Sequence, residues 1–499
     1  MIELTFDRGR DMIQPPPRSD SNVRCTLAHL RPPDAHLRSG ATDTSWVILL
    51  HPEVEALADL RVGSLDRAVV ALAATTSITN DIVLDFDAEL DPSALASAWQ
   101  RLGRRYPILR GRADLDSGAA EWSVDDELPP VVFAEEDPAH CQTPLPGPAE
   151  RRAFGNPSRP HEGGLCRLAA ITRGSAHRLV WSCSHALMDG TSSAAVVGAL
   201  AALYRDAVAG VSPNNAVDRR SRLLEDLLHE RGPDVVTRSM VLARYAASWL
   251  QPERSDHPVP RSVSPAAGYA GADISDAISA LDRDRRRYGW RTSAVILALL
   301  ARAWNRVFDD GSTPTGTSGW QVASNLRVVL GGPPGTGGSA GPGNMSATDR
   351  LTLHSVDRQR LWSVIAEANR EFGRLESRWL GLGGALAAMQ AATLSAASLR
   401  RMTTTALHRV VALGWGRSFS NIGPWPREIE SWANVTMLRS YFVPASADPR
   451  WITVAAYGQS GRTFVSMRTH RRGISADDVT HLAESMNSDA RSAGDLSSV

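Results

Sequence analysis

Arg178-Leu179-Val180-Trp181-Ser182-Cys183-Ser184-His185-Ala186-Leu187-Met188-Asp189-Gly190 runs from an apolar stretch into a lone imidazole, a carboxylate and a glycine. The residues before His185 read as a buried strand, and Thr191 to Tyr204 carries apolar residues at helical spacing with small residues between them. A histidine leaving a strand, a turn at Asp189-Gly190 and a helix starting near Thr191 put the imidazole at the edge of a cleft. In this reading Gly190 permits the backbone geometry of the turn, while Asp189 or Thr191 caps the helix. The layout is that of a general base held at a strand end.

Leu165 to Ile171 reads as a partner strand, joined to the first through a hairpin around Arg173-Gly174-Ser175, and a helix over Ala194 to Ala209 completes the unit. Upstream, Val62 to Ala74 is amphipathic and Asp81 to Asp87 reads as a strand. Asp91-Pro92 then opens a helix whose Leu95, Ala98, Trp99 and Leu102 share one face. Tyr106 to Arg110 reads as another strand. Residues 1 to 61 form an extension rich in Pro, Ser, Asp and Arg, with one short strand near Trp46 to Leu50. From Ser212 to Ala272 the chain is polar and Pro-bearing, with a single helix over Val235 to Leu250, and reads as the crossing between two lobes. The organisation expected is therefore an extension 1–61, a lobe 62–255 and a lobe 256–499.

The second lobe predicts a helix over Thr292 to Asn305, a strand over Gln321 to Val329 and a glycine-rich loop from Gly331 to Gly343. Helices follow over Leu361 to Phe372 and Ala385 to Ala397, then strands over Val435 to Phe442, Trp451 to Tyr457 and Thr463 to Met467, and a last helix over Ser475 to Asn487. Strands and helices alternate without a dinucleotide-binding fingerprint after the first strand. An α/β fold of the α+β type, with mixed sheets and helices, is the class expected. Gly332 to Ser339 matches a phosphate-binding loop except at its lysine, which is Gly338, so a surface loop is the better reading.

Composition narrows the chemistry. The 499 residues exceed one ordinary core, and 54 basic against 54 acidic residues leave no surplus to bind nucleic acid or an anionic membrane. None of the basic residues is lysine, which rules out Schiff-base catalysis, a lysine base and a phosphate-loop lysine. Cys25, Cys141, Cys166 and Cys183 form no Cys-x-x-Cys pair, which argues against a zinc site or a disulfide scaffold and fits a reducing cytoplasm. Cys183 shares a strand face with His185, but a small apolar strand residue explains it better than a nucleophile. Met1 to Arg8 lacks a signal-peptide core, and runs such as Val295 to Ala301 are too short to span a bilayer.

His185-x-x-x-Asp189-Gly190, with the strand before it and the helix after it, resembles the superfamily of chloramphenicol acetyltransferase, nonribosomal-peptide condensation domains, BAHD acyltransferases and wax ester synthases. The resemblance extends from about Val62 onward. Leu90 to Trp99 and Arg105 to Arg110 are similar to the family's first helix and strand entry, with Tyr106 in the place of a histidine. Asn325-Leu326-Arg327 with Gly343-Asn344-Met345, and Phe419 to Pro424, resemble two further family segments. Leu413 to Arg417 partly resembles a BAHD segment, with Ala412 where that segment has Asp.

The resemblance implies two acetyltransferase-like lobes with an active-site tunnel between them. It implies acyl transfer from acyl-coenzyme A, or from the phosphopantetheine thioester of an acyl or peptidyl carrier protein, to a small-molecule hydroxyl or amine of specialised metabolism. His185 would be the general base of a monomeric enzyme with no tightly bound cofactor and no metal. Asp189 also has a reading as a triad carboxylate, but the family pattern makes it structural, paired with Arg327, and makes Gly190 part of the mount. Ser420 and Asn421 are the candidates for oxyanion or tunnel contacts. Trp415, Trp425 and Trp432 suit a tunnel lining or a core equally. Condensation domains carry two consecutive histidines where this chain has Ser184-His185, which shifts the expectation from peptide-bond formation toward an ester or simple amide. A non-catalytic docking domain and a cyclising or epimerising enzyme are the alternative readings.

Overall fold

A computed structural model of the chain describes residues 2–4, 46–48, 61–73, 78–115, 122–136, 163–212, 223–250, 263–308, 318–330, 343–354, 356, 359–412, 417–445, 451–471 and 476–496. Chain contacts divide it into a unit Met1–Ala58 and a unit Asp59–Val499. In the first, β1 (Ile2–Leu4) pairs antiparallel with β2 (Trp46–Ile48).

Helix α1 (Ser64–Ala73) leads into β3 (Thr79–Phe86) and then α2 (Pro92–Arg105). The Asp91 carboxylate accepts from Ala94 N at 2.8 Å, Pro92 occupies the first turn, and Leu95, Ala98, Trp99 and Leu102 are fully buried, so cap and stripe both sit as the spacing predicts. Tyr106 to Arg110 departs from the strand expected: Pro107–Arg110 is a 3-10 turn ahead of a short β4 (Gly111–Arg112), which pairs with β5 (Ser123–Val124). Pro107 fixes a helical φ, and the Arg110 guanidinium closes the turn by donating to the carbonyls of Gly103, Asp125 and Asp126.

After β6 (Val132–Glu135), β7 (Cys166–Arg173) and β8 (Ala176–Ser184) form the expected hairpin, which Gly174 closes with a φ of +62°. Leu179, Trp181 and Cys183 of β8 face the main core, while Val180 packs with Val83, Ile171 and Val443 on the opposite face. Burial on both faces is why this strand reads as an apolar run without alternation. Helix α3 (Gly190–Val208) then lies in the main core beside α2.

Where a crossing with one helix was expected, the structure adds α4 (Leu224–Arg231) before α5 (Val235–Leu250), then a strand, β9 (Val263–Asp273). The β9 sequence is small, glycine-bearing and interrupted by Pro265, so it carries no strand pattern; its antiparallel partner defines it. Two helices follow, α6 (Ser275–Tyr288), which the periodicity does not mark, and α7 (Thr292–Phe308), which runs three residues beyond the expected end and is enclosed from Ala294 to Ala301. Strand β10 (Ser318–Asn325) stops four residues before the expected end, because the Asn325 side chain accepts from Arg327 N at 3.0 Å and starts the one-turn helix α8 (Leu326–Val329). The glycine-rich segment 331–342 and residues 413–416 lie outside the described residues.

Strand β11 (Ser346–Leu353) and α9 (Leu361–Glu376) lead to a break where one helix was expected. Helices α10 (Leu382–Ala391) and α11 (Ala396–Ala412) are separated at Ser395, whose hydroxyl accepts from Ser398 N and restarts the helix. Strands β12 (Arg417–Pro424), β13 (Met437–Val443), β14 (Ile452–Gln459) and β15 (Arg462–Arg471) and helix α12 (Ala476–Leu496) complete the chain.

The strands form two mixed sheets, β13-β3-β8-β7-β6 and β11-β10-β12-β14-β15-β9. β13 therefore crosses from the second half of the sequence into the first sheet. Helices α6, α7, α9 and α12 cover one face of the second sheet. From its other face, Ala455 and Tyr457 enter the core of the first. No described helix is long and apolar enough to cross a membrane.

Candidate active site

His185 sits one residue beyond β8. The ladder between β3 and β8 ends at Thr79 opposite Ser184, and His185 N–H extends it by donating to the Ile78 carbonyl at 2.8 Å. Leu187 N then donates to the Ser184 carbonyl at 3.0 Å and Ala186 N to the Ser184 hydroxyl at 3.3 Å, so the chain turns at once. Ala186, Leu187 and Met188 are fully buried and anchor that turn in the core. The His185 side chain is half-buried; its Nδ1 is enclosed without a hydrogen-bond partner among the described residues. Burial holds the imidazole pKa below its usual value, against weaker opposing pulls from its own carbonyl and the Asp189 carboxylate. Burial thus favours the neutral ring, whose lone pair can accept a proton.

Asp189 is the N-cap of α3. Its Oδ1 accepts from Ser192 N at 2.8 Å, and its Oδ2 accepts from Arg327 Nη1 at 2.6 Å and from Met345 N at 2.9 Å. Burial pushes this carboxyl upward, but the Arg327 guanidinium and the donated hydrogen bonds outweigh it and hold the pKa below the usual range. Arg327 Nη2 reaches the Ser192 hydroxyl at 3.0 Å and the Gly343 carbonyl at 2.9 Å, and Asp189 N donates to that carbonyl at 3.2 Å. The side chains of Arg327 and Asp189 are only 10% and 5% exposed. The carboxylate is therefore occupied by the cap, the guanidinium and Met345 N, and makes no hydrogen bond with His185.

Gly190 is needed for space, not for the turn geometry expected of it. It is the first residue of α3 and is not among the glycines of positive φ. A Cβ there would lie 2.9 Å from Phe442 Cζ on β13 and 3.3 Å from Ile422 Cδ1 on β12. The start of α3 is thus pressed against strands from the second half of the sequence.

The two residues named for oxyanion contacts part company. Ser420 is paired with Ala455 and Asn421 with Ala456 across parallel strands; Ala455 belongs to the first core and Ala456 to the helix-covered one. Ser420 therefore faces the first sheet, whereas Asn421 faces α7, where its amide donates to the Ser293 hydroxyl at 2.9 Å and its oxygen accepts from Gly423 N at 3.1 Å. Cys183 and Cys166 are free, opposed across the hairpin and fully buried, and burial pushes the Cys183 thiol well up. Trp425 and Trp432 lie in the main core, and Trp415 lies outside the described residues. Ser192, Gly343 and Met345 went unread as site groups. Ser192 had a signal in its capping distance from Asp189; Gly343 and Met345 lie in the Gly343-Asn344-Met345 segment of the family resemblance, which does not by itself show that their backbone groups meet Arg327 and Asp189.

No protein-family model matches the sequence. The nonribosomal peptide synthetase ecdA of Aspergillus rugulosus is 31% identical over 175 residues, 31% of this chain, and the chain spans 2% of that synthetase's length. The first condensation domain of the calcium-dependent antibiotic synthetase, in complex with substrate analogue 3a, superposes with a TM-score of 0.60 at 16% identity, covering 86% of this chain and 96% of that one. The starter condensation domain of rhizomide synthetase, in complex with C8-CoA and Leu-SNAC, gives a TM-score of 0.59 at 14% identity over 88% of this chain and 96% of that one. These likenesses extend over both sheets and establish the fold.

Proposed function

We propose, from a chain that has the condensation-domain fold, an acyltransferase that moves an acyl group from a thioester to the hydroxyl or amine of a small specialised-metabolite acceptor, with His185 as the general base. The observation that carries this reading is a half-buried imidazole at a strand end, its Nδ1 enclosed without a partner among the described residues, whose neighbouring carboxylate is committed to Arg327. As the acceptor oxygen or nitrogen attacks the thioester carbonyl, His185 takes its proton. Collapse of the tetrahedral intermediate breaks the C–S bond, and the leaving thiolate receives that proton. The products are an ester or amide and a free thiol, with no covalent enzyme intermediate. Ser420 supports the oxyanion role better than Asn421, whose amide is engaged by Ser293. Lobes 62–255 and 256–499 would admit donor and acceptor from opposite faces. The C8-CoA held by the rhizomide synthetase domain favours coenzyme A as one donor to test. With no lysine in the chain, arginines would meet its phosphates.

The test incubates the purified chain with acyl-coenzyme A thioesters, acyl-loaded carrier protein and a panel of alcohols and amines, following thiol release and product mass. Thiol release that depends on the acceptor, and that falls about 10² to 10⁴-fold in His185→Ala, is the expected result. Undiminished turnover in that variant removes the base assignment. Binding of a carrier protein without thiol release under any donor points to the docking alternative.

A further inference from the structure

Two arginines from the second half of the chain flank the His185 turn, one on each side. Arg327 holds the residues after it, through Asp189. Arg468, on β15, holds the residues before it: Nη1 donates to the Thr79 carbonyl at 2.8 Å and Nη2 pairs with the Asp81 carboxylate. The other Asp81 oxygen accepts from the Ser182 hydroxyl at 2.5 Å. The Arg468 side chain is 9% exposed.

The register gives these contacts their meaning. Thr79 lies opposite Ser184 and Asp81 opposite Ser182. Arg468 therefore grips two of the three β3 positions that face the last residues of β8, and the next link along the ladder is His185 N–H on the Ile78 carbonyl. On the other side of β3, the Ser466 hydroxyl donates to the Phe442 carbonyl and the Tyr457 hydroxyl to the Ser440 carbonyl, so β13 is also tied to the second sheet. A planar guanidinium bridging a carbonyl and a carboxylate sets both distance and angle, which a lysine ammonium cannot do.

We propose that Arg468 is a positioning residue that sets the end of β8, and with it the His185 imidazole, against the second sheet. The proposal rests on the reading of His185 as the base. It makes Arg468 the anchor on the strand side of the base, opposite Arg327, which holds the helix side through Asp189.

The experiment compares wild type, Arg468→Gln, Arg468→Lys, Arg468→Ala, Asp81→Asn and His185→Ala by hydrogen exchange and by thiol release from acetyl-coenzyme A with a primary alcohol or amine. In Arg468→Gln, faster exchange is expected in residues 78–86 and 183–189 and unchanged exchange in α6 and α12. The kcat should fall about 10²-fold, the effect of misplacing a reacting group by about 1 Å, with KM for the thioester unchanged. Lysine should rescue kcat incompletely, and methylguanidine should restore part of it to Arg468→Ala. Unchanged exchange and kcat in folded Arg468→Gln would overturn the proposal. If that variant does not fold, Asp81→Asn removes the same pair, and unchanged exchange there overturns it as well. Full turnover by His185→Ala would instead defeat the base reading, and the exchange data would still decide whether Arg468 holds the strand end.

Discussion

Replacing Asp189 by asparagine separates a mount from a catalytic carboxylate. The native carboxylate accepts from Ser192 N on one oxygen and from Arg327 and Met345 N on the other. An asparagine can place its single oxygen toward only one of these sides. With the oxygen facing Ser192, its NH₂ meets a guanidinium and a backbone N–H; flipped, the helix loses its cap, worth about 0.5 to 2 kcal/mol. Either way Arg327 remains buried without its counter-ion, and breaking such a pair costs about 3 to 5 kcal/mol. Denaturant unfolding should show that loss as a lower midpoint at unchanged slope. Arg327→Met should cost a similar amount, and the double variant less than the sum of the two, because the second removal takes away the uncompensated charge. Folded Asp189→Asn should retain thiol release within about tenfold of wild type, against the far larger loss expected of a group acting directly on the proton transfer. A variant of native stability with abolished turnover would refute this and make Asp189 a triad member. The pair also fixes a pH window. Because the folded-state pKa of Asp189 is depressed, its contribution is complete above the ordinary carboxylate range and is lost as pH falls through the folded value, so acid unfolding should come later in wild type than in Arg327→Met.

Three further outcomes follow from the geometry. The acid limb of kcat/KM should lie below the ordinary imidazole pKa, because burial favours neutral His185; a limb above it would contradict that environment. Gly190→Ala should destabilise by about 1 to 3 kcal/mol through overpacking against Phe442, as measured by thermal unfolding, and Phe442→Leu should relieve it. Cys166 and Cys183 should resist thiol reagents in the native state and react on unfolding; rapid native labelling of either would contradict their enclosure.

Much of the first sheet was legible because its signals are local. Asp91-Pro92 with its Leu95-to-Leu102 stripe, the Gly174 turn, and the apolar run ending at His185 each carry their cause within a few residues. The departures are tertiary. Pro107 to Arg110 coils because Arg110 finds carbonyls of Gly103 and of Asp125 and Asp126, and β9 is a strand only because β15 lies beside it. The motif itself could be read, but its division of labour could not. Local spacing proposed a turn role for Gly190, whereas its constraint comes from Phe442, some 250 positions away along the sequence.

What the sequence by itself determined is the set of elements with strong local patterns and the excluded chemistries, since the absence of lysine and of paired cysteines needs no coordinates. What only the tertiary structure decided is which polar groups are spent on one another. Asp189 is engaged by Arg327, Asn421 by Ser293 and Asp81 by Arg468, while the His185 Nδ1 has no partner among the described residues. The physical reason is that a buried polar group must be satisfied, and the partner that satisfies it is chosen by the packing of distant segments.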